Sequence, residues 1–196
     1  EGTHPMGSMV TGAYTGIDDC YSPDLTYCFE EEGEFSAVYA DVIRRKQERS
    51  NWWWVASAEM IGKYFNPSCT LSQTDVVEYF YGFDLNWPAF LSTCRSAIEQ
   101  FGGDKVSDAV IYGSALDLPQ TRELIRENCP MVARLSWSLT SGHLVVLSGY
   151  DFQDQIRIID PWEDNPTTYV PYYDAVNEYN FQTGTETYDN TILVYW

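Results

Sequence analysis

The chain has 196 residues, 44% of them hydrophobic and 16% aromatic, which is enough apolar material for one domain or two tightly joined lobes. Eleven Lys and Arg stand against 29 Asp and Glu, a net charge of −18, which repels nucleic acid and anionic membrane surfaces. No run of about 18 apolar residues occurs, so no membrane-inserted span is expected.

Residues 1–8 read as an expression-tag remnant, which leaves His143 as the one native histidine beside His4. Residues 9–35 carry no sustained period and are expected to form an irregular extension, with "FEEEGEF" as a solvated acidic loop. A helix is predicted over 52–65, capped by Ser50 or Asn51 and ended by Pro67. Trp54, Ala58, Ile61 and Phe65 fall on one face of it, and Trp53, Ser57, Met60 and Tyr64 on the neighbouring stripe. A second helix fits "SQTDVVEYFYG", with Ser72 as cap and Gly82 as stop. A third fits "PAFLSTCRSAIEQFGG", with Pro88 in its first turn and Gly102–Gly103 closing it. A fourth covers about 118–128. The pattern then changes to strands: "PMVARLSW", "GHLVVLSGYD", "QIRIIDPW", "TTYVPYY" and "TILVYW" are short runs of β-branched and aromatic residues. Helices first and antiparallel strands afterwards predict an α+β fold with segregated layers. Five cysteines without a CxxC pair argue against a zinc knuckle, and Cys20–Cys28 and Cys69–Cys94 are the expected disulfides of an exported protein. Asp151 and Asp154 lack the spacing of an EF-hand, so neither a metal site nor a cofactor is expected.

The chemistry centres on His143, at the head of an apolar strand. Asp160 ends the next predicted strand, and adjacent antiparallel strands can set the two side by side. A carboxylate beside an imidazole fixes its tautomer and stabilises its charged form, the base and orienter of a triad. A structural His–Asp hydrogen bond at a strand end satisfies the same pattern. A nucleophilic cysteine would belong in the first turn of the 52–65 helix, where the backbone N–H groups favour a thiolate. That turn holds Trp52, Trp53, Trp54 and Val55.

"QERSNWWWVASAEM" resembles the motif Q-x-x-x-N-W-C-W-A-A-S of bacterial papain-like cysteine peptidases, relatives of the papain clan and of double-glycine leader peptidases. "SGHLVVLSGYD" resembles their histidine motif G-H-x-V-V-I-x-G-Y-D, and "IIDPW" their V-x-D-P-W motif. "CTLSQTDVVEYFYG" and "ENCPMVARLSW" are similar to the segments that follow the active-site helix and precede the histidine motif. The blocks keep their order over roughly residues 40–165. The resemblance implies a single papain-like domain over 9–196, with a helical lobe at about 40–128 packed on a twisted antiparallel sheet at about 129–196. It puts Gln47 on the oxyanion-hole position, His143 on the base, Asp160 on the orienter and Trp53 on the nucleophile itself. An indole has no nucleophilic heteroatom. The implied function is therefore a non-catalytic pseudopeptidase that binds a polypeptide or other ligand. Alternatives are an active cysteine peptidase whose cysteine is mutated here or replaced by another nucleophile such as Ser50 or Ser57, and a structural module of an exported protein. Packing of Trp53 as core in a shifted helix register, and Gln47 as a plain surface residue, are the competing readings of those two positions. The expected location is secreted or extracytoplasmic, with a signal segment outside this sequence.

Overall fold

The computed structural model describes residues 25–29, 36–138, 141–162, 164, 167–181 and 183–196. Two strands come first, β1 (Leu25–Phe29) and β2 (Ser36–Ala40), then α1 (Trp53–Phe65), α2 (Gln73–Tyr81) and α3 (Leu91–Gly102). Strand β3 (Asp108–Tyr112) and helix α4 (Leu118–Arg126) lead into β4 (Met131–Ser136), β5 (Gly142–Asp151) and β6 (Gln155–Ile159). The chain closes with β7 (Thr168–Pro171), α5 (Tyr172–Asn177), β8 (Tyr179–Phe181) and β9 (Gly184–Tyr195). All strand pairs are antiparallel, in the order β1-β2-β5-β4-β9-β3, with β6 joining β5 to β7 and β8 added to β9. The fold is mixed helix and antiparallel sheet, and so α+β.

The sheet is buried on both faces. Val132, Leu144, Val146, Ile159, Ile192 and Val194 pack toward α1, α2 and α3. The alternate residues Met131, Ala133, Val145, Leu147, Ile158 and Leu193 pack with Ile125 of α4 and Ala175 of α5. Burial on both sides explains why β5 reads as a nearly unbroken apolar run rather than an alternating one.

Several expectations are corrected. Helices lie on both faces of the sheet, not in one lobe. The segment 9–35 contains β1, and β2 and β3 precede or interrupt the helical half. The "TTYVPYY" run gives up its second half to α5, where Tyr172 and Ala175, three apart, bury one side of a short helix. Helix α3 starts at Leu91 and leaves Pro88 outside, because the carbonyl of Trp87 accepts a hydrogen bond from the Trp54 indole at 3.2 Å and Phe90 is extended. Cys69 and Cys94 are free; the Cys94 thiol lies in the core and donates to the Trp54 carbonyl at 3.3 Å. The tag remnant, the acidic loop and the Cys20–Cys28 pairing fall outside the described residues or their side chains. Helix α2 meets its expectation in detail: Ser72 and Asp75 form a reciprocal capping box, and Gly82 closes it at φ 78°.

Helices α1 and α3 approach closely at Gly62. A Cβ there would lie 2.3 Å from Phe101 Cβ and 2.9 Å from the Ile98 carbonyl oxygen. Gly62→Ala is therefore expected to destabilise the protein by about 1–3 kcal/mol through overpacking, outweighing the roughly 1 kcal/mol that alanine gains in helix propensity. A lowered urea midpoint with an unchanged slope would show it; an unchanged or higher midpoint would mean that the helices separate freely.

Candidate functional site: a tryptophan-lined cleft around His143

The first turn of α1 is locked by the segment that precedes α3. The Trp52 indole donates to the Leu85 carbonyl at 2.8 Å, the Asn51 amide to the Asn86 carbonyl at 2.9 Å, and the Asn86 side chain receives the Asn51 backbone N–H at 3.0 Å. Trp52 and Trp54 are fully buried, each with its indole N–H on a carbonyl. This changes the expected cap. The Ser50 hydroxyl accepts from Asn86 and the Asn51 side chain is occupied, so Trp52 takes the N-cap position and no side chain caps the helix. Trp53, between the two buried anchors, is only partly buried and faces a cleft of about 1130 Å³. Its walls include Phe90, Arg134, Trp137, His143 and Trp162.

His143 is 1% exposed, and its Nε2 lies 2.7 Å from Asp160 Oδ1. The same oxygen accepts the Trp162 backbone N–H at 2.8 Å. Two elements fix Asp160. Ile158 and Ile159 of β6 pair with Leu147 and Val146 of β5, and Arg44 Nε donates to the Asp160 carbonyl at 2.9 Å while its terminal nitrogen reaches the Trp162 carbonyl. Two indoles flank the imidazole. Trp137 lies nearly parallel to it at 6.4 Å between centroids, and Trp53 meets it edge-on at 6.3 Å. The structure thus brings Trp53, His143 and Asp160 together.

Gln47 is close but differently engaged. Its backbone N–H donates to the Pro161 carbonyl at 2.8 Å, which ties it to the Asp160 loop. Its side-chain amide donates to the carbonyls of Arg49 and Ser50, both at 2.9 Å. Both amide protons are therefore committed, and the amide oxygen is buried with no hydrogen-bond partner. Exchanging oxygen and nitrogen would set the oxygen against two carbonyls, so the orientation is determined. Behind it, Gln73 donates to the Lys46 carbonyl at 2.8 Å and to Glu59 at 2.9 Å and accepts from Glu48 N, holding this stretch against α1 and α2.

Of the expected substitute nucleophiles, Ser50 lines the cleft, where its hydroxyl accepts from the Asn86 side chain at 3.0 Å, and the others lie elsewhere. Ser57 is buried and donates to the Leu144 carbonyl at 2.9 Å. Burial raises the Cys94 thiol far above its ordinary value and raises Cys129 to about 11. No group of three or more potential metal ligands occurs among the described residues.

One residue escaped the sequence reading. Glu186 of β9 is 1% exposed, and neither carboxyl oxygen has a hydrogen-bond partner. Burial raises its pKa above the ordinary value; the Thr183 hydroxyl, His143 and the Trp137 indole work against that rise, and Asp160 adds to it. The available signal was parity. Glu186 stands two residues before the buried Tyr188 on one strand, and so shares its face. A raised carboxyl pKa means that the folded state holds its proton more tightly than the unfolded chain. The stability this gives is complete below the ordinary value of 4.5 and is lost as pH rises through the folded value. Glu186→Gln is thus expected to melt at a higher temperature than the parent at neutral pH, with the advantage vanishing below pH 4.5. An equal or lower melting temperature at neutral pH would show the carboxylate to be compensated.

Comparison with protein-family models matches residues 39–191 to the Peptidase_C39 like family, a span that covers every residue of this cleft. No curated protein matches the chain.

Proposed function

The chain belongs to the Peptidase_C39 like family, and we propose that it is a papain-like pseudopeptidase, a single domain over 9–196 that binds a polypeptide in the cleft without cutting it. The observation that carries this reading is Trp53. It occupies the first turn of α1, beside an imidazole whose other nitrogen is engaged by a carboxylate, and it offers no atom that can attack a carbonyl. His143 and Asp160 then keep the places of base and orienter with nothing to activate. Gln47 supports the same reading, since an amide with both protons spent on carbonyls has none for an oxyanion. The indole also fills space where a scissile bond would lie. An active enzyme with a substitute nucleophile has less behind it: Ser57 faces the sheet, Cys94 and Cys129 are buried, and Ser50, although on the cleft wall, has its hydroxyl engaged by the Asn86 side chain.

The test uses the unaltered chain. Peptide libraries should quench or shift the fluorescence of the cleft tryptophans without being hydrolysed. A thiol-directed peptidyl probe should give no labelling that depends on His143. Turnover that disappears in His143→Ala would overturn the proposal and restore a working enzyme.

A further inference from the structure

The Glu186 carboxyl is an unusual thing to bury. A carboxylate in the interior is normally matched by a cation or by several donors, because its desolvation costs several kcal/mol otherwise. Among the described residues no Lys or Arg forms a salt bridge with it, and its oxygens have no close hydrogen-bond partner; the Thr183 hydroxyl and the Trp137 indole N–H are the donors that approach it. The charged or titratable groups that act on it are His143 of β5 and Asp160 after β6, the second of like sign. Arg134 lines the cleft too, but its guanidinium sits on Asp189 at 3.0 Å and on the carbonyls of Ser138 and Ser141. Three of the residues around Glu186, namely Trp137, His143 and Thr183, are walls of the cleft. The unmatched carboxyl therefore stands directly behind the cleft surface.

Trp137 links the two. Its Nε1 lies 3.1 Å from where a Cβ of Gly184 would stand, two residues before Glu186, and its N–H acts on the Glu186 carboxyl. The residue remains 45% exposed, so the ring itself is presented outward. An indole whose N–H points at a carboxylate is richer in π-electron density and a better seat for a cation. Trp162, 39% exposed on the same wall, and Trp53 offer further ring surface. The net charge of −18 draws positive ligands in from a distance.

Resting on the reading of the cleft as a peptide-binding site, we infer that it is selective for a cationic side chain, lysine or arginine, seated on the Trp137 indole with Glu186 as its buried counter-charge. The cleft volume of about 1130 Å³ has room for several residues around that side chain. Binding of the cation favours the ionised carboxylate. Affinity should therefore rise with pH through the titration of Glu186, and a proton should be released on binding.

The experiment titrates the full chain with capped hexapeptides of one sequence whose central residue is arginine, lysine, citrulline or leucine, and separately with arginine amide. The arginine peptide should bind roughly tenfold tighter than the citrulline peptide at low salt, an advantage shrinking as salt is added. Glu186→Gln should cut that advantage to about twofold or less, and proton release, read from the dependence of binding enthalpy on buffer ionisation, should vanish with it. Trp137→Leu keeps the carboxyl but removes the ring and its N–H, and should lower the same preference, so the conclusion does not hang on one variant. Equal binding of arginine and citrulline peptides would overturn the cation site while leaving the peptide-binding reading intact. No binding of any peptide would overturn both. Binding of arginine amide as tightly as the peptide would refute a polypeptide ligand and leave a small cation as the occupant.

Discussion

Trp53→Cys is expected to yield a thiol that iodoacetamide alkylates at mildly acidic pH at least roughly tenfold faster than Cys69, the partly exposed cysteine among the described residues. The new side chain would stand in the uncapped first turn of α1, where the helix dipole favours an anion, and beside the imidazole that now meets the Trp53 ring. Thiols so placed ionise at about 3.5–7.5, against about 8.5 for a free cysteine. His143→Ala in the same background should return the rate to that of an ordinary thiol. Peptide hydrolysis is expected to lag far behind this reactivity. The Gln47 amide would have to abandon the Arg49 and Ser50 carbonyls before it could receive an oxyanion, and one missing donor costs about 10²–10³ in kcat. A variant thiol no more reactive than Cys69 would mean that Trp53 does not stand at the nucleophile position, and the pseudopeptidase reading would go with it.

Asp160→Ala should lower stability by about 2–5 kcal/mol, a fall of roughly 5–15 °C in Tm for a chain of this size. Asp160 Oδ1 serves two donors, the imidazole of His143 and the Trp162 backbone N–H, and His143 is almost wholly buried. Alanine would leave both without an acceptor in a place that water reaches poorly. Asp160→Asn keeps one carbonyl oxygen and should cost clearly less. Calorimetry on the two variants checks the order. Equal losses would assign the effect to charge rather than to hydrogen bonding, and no loss in either would show the pair to be dispensable for folding.

That stability role bears on why a base and its orienter stand beside an indole. The carboxylate joins the end of β6 to the head of β5, and Arg44 and Gln47 bind the same loop through its backbone. The pair therefore has work in the fold whether or not a reaction is carried out. Trp52 and Trp54 have a similar structural task, since their indoles pin the start of α1 to the 85–87 segment. Of the three consecutive tryptophans, only the middle one lines the cleft.

Local features of the sequence determined much of this protein. The cap at Ser72, the stop at Gly82, the helical period after Trp53 and the apolar runs of β4, β5 and β6 are each encoded within a dozen residues, and each forms as read. His143 and Asp160 were legible as a pair because they end neighbouring strands only 17 positions apart. Tertiary structure decided the rest. The sheet order brings β9 beside β4, so Glu186, 43 positions after His143 in the chain, acts on the same cleft. Parity with Tyr188 gives only the face it shares, because burial depends on what the opposite elements cover. The start of α3 and the cap of α1 were settled by hydrogen bonds to each other's flanks, which replaced the local signals of Pro88, Ser50 and Asn51. The same holds for Gln47. The family resemblance puts its amide at an oxyanion-hole position, but the carbonyls of Arg49 and Ser50 take both of its protons, and only the folded loop puts them within reach.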